Sequence, residues 1–105
     1  MTDDEKMLLV AKACGWTLID KRSYDDKCPW CKELKGYFDP LDDCNDMAEI
    51  VAKLGLTIEA CNTLEQAICT SEDGSITVSL LANGNMPAAL RRAVFEVAAQ
   101  IGETK

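Results

Sequence analysis

Residues 37–56, YFDPLDDCNDMAEIVAKLGL, read as an extended lead-in, a proline turn, an acid-capped amphipathic helix and a glycine stop, with a strand beginning at once. Pro40 forces Asp39 out of the helical region. Asp42 or Asp43 can then cap the helix by accepting from its free N–H groups. Met47, Ile50, Val51 and Leu54 recur at i, i+3, i+4 and i+7, one apolar stripe, while Asp42, Asp46, Glu49 and Lys53 repeat on the opposite side. The spacing predicts a helix over 43–54. Gly55 supplies the left-handed residue after it, and Leu56 is placed to fold back on Val51.

Working outward, Thr2 and Glu5 have capping-box spacing. Met7, Val10, Ala11 and Cys14 follow as a helical stripe ended by Gly15, which predicts a helix over 3–14, with Trp16 and Ile19 packed beside it. Residues 20–36, DKRSYDDKCPWCKELKG, are charged and nearly free of aliphatics. That is long for a connection and marks a functional or mobile loop, with room for a short strand or helical turn. After Gly55, Leu56, Ile58 and Ala60 alternate with Thr57, Glu59 and Cys61, the pattern of a half-buried strand. EQAICTS and SITVSLLA flank Glu72-Asp73-Gly74-Ser75, and Asp-Gly suits a two-residue type I′ hairpin. That turn sets Cys69 against Val78 and Ala67 against Leu80; a three-residue loop would set Ile68 against Leu80 instead. Asn83-Gly84-Asn85 is a turn and Pro87 suits the first helical position. Leu90, Val94, Val97, Ala98 and Ile101 form the last stripe, with Gly102 as its stop. The expected fold is α+β, a small antiparallel three-stranded sheet packed with helices in the order α-loop-α-β-β-β-α. Helix one on the second face of the sheet would make an α/β/α sandwich.

Phe38-Asp39-Pro40-Leu41, the cap with Asn45 and Asp46, and Leu54-Gly55-Leu56 resemble small phage and prophage proteins with an α-β-α sandwich domain. The Gly15-Trp16 end of the first helix and the alanine-rich last helix are also similar to that family. The resemblance implies the sandwich fold and a phage or prophage origin. It carries no catalytic residues to this chain.

A chain of 105 residues makes one domain, 1–105, large enough to bury a core without staples. No apolar run approaches the ~20 residues of a membrane span, and the acidic start MTDDEKM is unlike a secretion signal, so the expected location is cytoplasmic, in a host cytosol. Net charge is −7. It opposes direct nucleic-acid binding, which rests on phosphate neutralisation. It suits docking on a basic protein surface, and equally suits plain solubility. The chain has no histidine, so it holds neither a Ser-His-Asp nor a Cys-His pair.

Cys28-Pro29-Trp30-Cys31 is the chemical motif of the chain. It looks like the C-x-x-C of thioredoxin-type proteins, but the charged residues before it cannot be the buried strand that precedes that motif. Alternatively, Cys28 and Cys31 supply two zinc ligands with Cys44 as the third, or they are two thiols of a loop that Trp30 anchors to the core. Cys14, Cys61 and Cys69 read as small buried hydrophobes.

Asp39, Asp42, Asp43, Asp46 and Glu49 crowd the start of the second helix. They complement the positive helix end, and they also form a patch that can steer a basic partner. Phe95 lies off the last helix's stripe beside Ala88 and Ala99, which fits either a broad buried face or a docking anchor. The leading expectation is a non-enzymatic phage or prophage accessory protein without a cofactor. It would bind a host or defence-system protein with a basic surface, such as a CRISPR effector, through the acidic residues, Trp30 and Phe95. The alternatives are a thiol-disulfide oxidoreductase at Cys28 and Cys31, and a structural module stabilised by zinc or by homodimerisation through the last helix.

Overall fold

The computed structural model describes residues 1–19 and 29–105. Helix α1 spans Asp3–Cys14, as the stripe predicts. The Thr2 hydroxyl accepts from the Glu5 amide at 3.2 Å and donates to the Glu5 carboxylate at 3.2 Å. Gly15 closes the helix at φ 74°, a conformation that carries no penalty without a Cβ. Met7, Val10, Ala11 and Cys14 are all buried.

Residues 18–37 hold a small sheet that periodicity does not announce. Strands β1 (Leu18–Ile19), β2 (Trp30–Cys31) and β3 (Gly36–Tyr37) pair antiparallel in that order, with Leu18 against Cys31 and Trp30 against Tyr37. The described part of the expected loop is therefore strand, turn and strand; residues 20–28, including Cys28, lie outside the described residues. Alternation within β2 reverses the expected anchoring. Cys31 enters the core, and Trp30 turns to the other side, edge-on to Tyr37 at 5.3 Å.

Helix α2 spans Cys44–Leu54, and Gly55 stops it at φ 66°. The Leu56 amide donates to the Val51 carbonyl at 3.1 Å, the long-range bond of a Schellman closure. Strands β4 (Thr57–Cys61), β5 (Gln66–Thr70) and β6 (Thr77–Leu81) form the expected meander. Cys69 pairs with Val78 and Ala67 with Leu80, the register of the two-residue hairpin. The turn itself is different. Gly74 has φ 77° while Asp73 keeps a negative φ, and the Gly74 amide donates to the Ser71 carbonyl at 3.0 Å. A type I turn followed by a left-handed glycine fills a four-residue loop, which has the same centre and so preserves the pairing.

Helix α3 spans Met86–Glu103, capped by the Asn85 side chain, with Pro87 in its first turn. Gly102 does not stop it. This glycine is buried inside the last turn, where a Cβ would overlap the Leu9 carbonyl oxygen. Its role is to let α3 and α1 approach backbone to backbone.

The fold is α+β, with three helices and two antiparallel three-stranded sheets in the order α-β-β-β-α-β-β-β-α. Helix α3 takes the middle position. It packs on the inner face of β4–β6 through one side and against α1 through the other, and α2 flanks it. Helix α1 thus lies on α3 and not on the sheet's second face. That face carries Thr57, Glu59, Cys61, Gln66, Ile68, Thr70, Thr77, Ser79 and Leu81, none of them buried. Cys61, expected inside, is on this face and half-buried. The main core joins Val10, Cys14, Cys31, Phe38, Ile50, Cys69, Val94, Phe95 and Val97. No helix among the described residues is long and apolar enough to cross a membrane.

Candidate partner-binding surface

The acidic segment is held from behind by its apolar residues. Phe38 and Pro40 are fully buried, and Phe38 meets Trp16 edge-on at 5.8 Å. The Phe38 amide donates to the Pro29 carbonyl at 2.8 Å. These contacts leave Asp39 partly exposed between two anchors. The chain then turns, the Asp43 amide donating to the Asp39 carbonyl at 2.8 Å, and Asp43 becomes the N-cap. Its carboxylate accepts from the Asn45 amide at 2.8 Å and the Asp46 amide at 3.4 Å. Asp42, Asp43 and Glu49 are exposed.

Asp46 closes this segment on itself. Its carboxylate accepts from the Asp39 amide at 2.8 Å. Burial pushes its carboxyl up from the usual range, the Asp39 amide opposes that rise, and the charges of Asp43, Asp39 and Glu49 add to it. No ion pair within 4 Å joins Asp42, Asp43, Asp46 or Glu49 to a cation among the described residues. The ion pairs of α1 and α3 lie elsewhere: Lys6 with Glu96 at 2.8 Å, and Arg92 with Asp3 at 2.9 Å and Glu96 at 3.5 Å.

Arg91, which sequence reading passed over, ties α3 to this surface. Its Nε donates to the Leu41 carbonyl at 2.8 Å and its guanidinium to the Cys44 sulfur at 3.1 Å. Only the tertiary fold brings the two segments together, so no local pattern in the sequence could have shown it.

The expected site residues part company here. The five acids share one surface, and Trp30 sits on the separate small sheet. Phe95 is 0% exposed and carries the Arg92 guanidinium 5.7 Å above its ring, so it is a core residue and not a docking anchor. Of the two residues beside it, Ala99 is buried and Ala88 half-buried, on a helix that α1 packs against. Two of the three metal candidates lie within the described residues. Cys31 is buried, Cys44 is exposed at the start of α2, and Cys28 lies outside the described residues. No group of three or more Cys, Asp or Glu is placed to hold a metal among the described residues. Burial pushes the Cys31 thiol up, opposite to the lowering that thiol exchange uses. Burial likewise raises Cys14 to about 12 and Cys69 to about 11.

A second feature escaped sequence reading. A cleft of about 700 Å³ lies between the end of α2, the β5–β6 loop and the end of α3, lined by Lys53, Glu72, Asp73, Ile101 and Lys105 among others. Its lining mixes both charges and hydroxyls. Comparison with protein-family models, with curated proteins and with solved structures returned no match to this chain.

Proposed function

We propose that this chain acts by binding another protein, and that the acidic start of α2 is the contact surface. The observation that carries this reading is the set Asp42, Asp43, Asp46 and Glu49. They stand on a segment fixed by buried Phe38 and Pro40, with no cation paired to them among the described residues. A fixed concentration of like charge steers a partner of opposite charge, whose cations offset the repulsion among the carboxylates. The partner class is a protein with a basic surface, of the kind that holds nucleic acid. The likeness of the Phe38–Leu41 and Leu54–Leu56 segments to small phage proteins makes a host-defence complex, such as a CRISPR effector, the first target class to test.

The test is a transformation assay in host cells with and without such a defence system, with the chain or its Asp42→Lys, Asp43→Asn, Glu49→Lys variant expressed. Protection of the incoming DNA by the parent chain and its loss with the folded variant is the expected result. Equal protection by both would remove the acidic surface from the function, and no protection by either would remove the target class. A binding measurement across salt concentration separates the two further, since surface charge contacts weaken as the screening length falls.

A further inference from the structure

We propose that two copies of this chain join through strand β6, edge to edge and antiparallel about a twofold axis at Ser79, to make one six-stranded sheet. In the pairing of β5 with β6 the residues that exchange bonds alternate. Ser71 with Ile76 and Glu65 with Ala82 mark the bonded set, since the Ser71 amide reaches Ile76 at 2.9 Å and the Ala82 amide reaches Glu65 at 2.6 Å. In that phase Thr77, Ser79 and Leu81 turn their N–H and C=O groups away from β5. The strand packs against β5 and α3, and it is the end strand of its sheet, with β5 as its ladder neighbour. A sheet edge of this kind is a template for another strand, and proteins normally blunt it with charge, proline or a bulge. Strand β6 has none of these. Residues 76–82, ITVSLLA, hold no charge, no proline and no glycine, and Leu81 is 63% exposed at the edge.

What fits this edge is a second copy of itself. With the axis at Ser79, the two Ser79 residues form a bonded pair and Thr77 of each copy bonds Leu81 of the other. All the outward groups are then used in phase. Val78 faces Leu80 of the second copy on the inner face, and no charge opposes a like charge. Antiparallel neighbours of this type stabilise one another. The opposite edge is built against such pairing. There the phase of the ladder turns Ile58 and Ala60 outward, and centring β4 on its own middle would set Glu59 beside Glu59 in the closer, non-bonded arrangement. Helix α3 covers the inner side of β6, so the twofold sets the two α3 helices on the same face of the joined sheet.

Solution mass and amide exchange of the full chain test this, both read across protein concentration. The expected result is a reversible dimer, with the Thr77, Ser79 and Leu81 amides gaining protection as it forms while those of Val78 and Leu80 are protected throughout. Ser79→Lys sets like charges at the axis and should weaken the dimer by up to about fivefold, with the exchange pattern of α1 and α3 unchanged. Ser79→Pro, tolerated on a free edge, should abolish it. A monomer at every concentration overturns the proposal. So does a dimer in which those three amides stay unprotected, or an open-ended series of masses, which would indicate β6 pairing with β4 of the next copy.

Discussion

The Asp46 carboxylate lies 2.8 Å from the amide nitrogen of Asp39, seven residues earlier, and so pins the lead-in to the first turn of α2. The bond favours the ionised carboxyl, yet burial and three neighbouring carboxylates outweigh it and the carboxyl titrates above its usual 3.8. The folded state therefore binds more protons than the unfolded one in the window just above 3.8. Stability falls as pH rises through that window. Asp46→Asn keeps an oxygen to accept the Asp39 amide and removes the charge. The variant should match the parent below 3.8 and become relatively more stable as pH rises, measured by urea midpoints. A parent that gains on the variant with rising pH would contradict this.

Asp73 works in the opposite direction. It accepts from the Ser75 amide at 3.0 Å, the Ser75 hydroxyl at 2.7 Å and the Ser71 hydroxyl at 2.8 Å, and these hold its carboxyl down at about 2. Its contribution is complete above 3.8 and is lost as pH falls toward 2. Asp73→Ala should lower the melting temperature at neutral pH, and the gap from the parent should close near pH 2. A gap that persists there would assign the effect to backbone preference alone.

Gly102→Ala puts two effects against each other. Alanine favours a helix over glycine by roughly 1 kcal/mol. The added Cβ, however, meets the Leu9 carbonyl carbon at 2.7 Å, and that is backbone of α1, which cannot swing aside. Overpacking of this kind costs about 1–3 kcal/mol or more, so the variant should be less stable by denaturant titration. A stabilised variant would show that α1 and α3 can separate freely.

Phe95→Ala empties the centre of the core and should cost about 3–5 kcal/mol. Partner binding per folded molecule should not change, because the ring has no exposed surface. Loss of binding by a fully folded variant would restore Phe95 as a contact.

The helices and the second sheet were legible because their signals are local. Thr2 and Gly15 bracket α1, Asp43 and Gly55 bracket α2, and a buried face forces the β5–β6 register whether the loop counts two residues or four. Strands of two residues, such as β2 and β3, have no period to read, so the inward Cys31 and outward Trp30 could not be told apart. Gly102 looks like a helix stop in sequence and is a contact point in space. Phe95 looks off-stripe only if α3 has one covered side, and it has two. The acidic surface was visible as a run of Asp, but its Arg91 tie and the Asp39–Asp46 closure depend on residues that only the fold brings near.

The middle place of α3 has a consequence for how the protein is made. Its 18 residues, Met86–Glu103, follow both α1 and the β4–β6 sheet along the chain, yet both need them as the surface to settle on. The earlier elements must wait with their apolar faces uncovered until α3 itself has been made. The final collapse is then nearly simultaneous for the whole molecule, and the growing chain depends on chaperones or on speed to reach it.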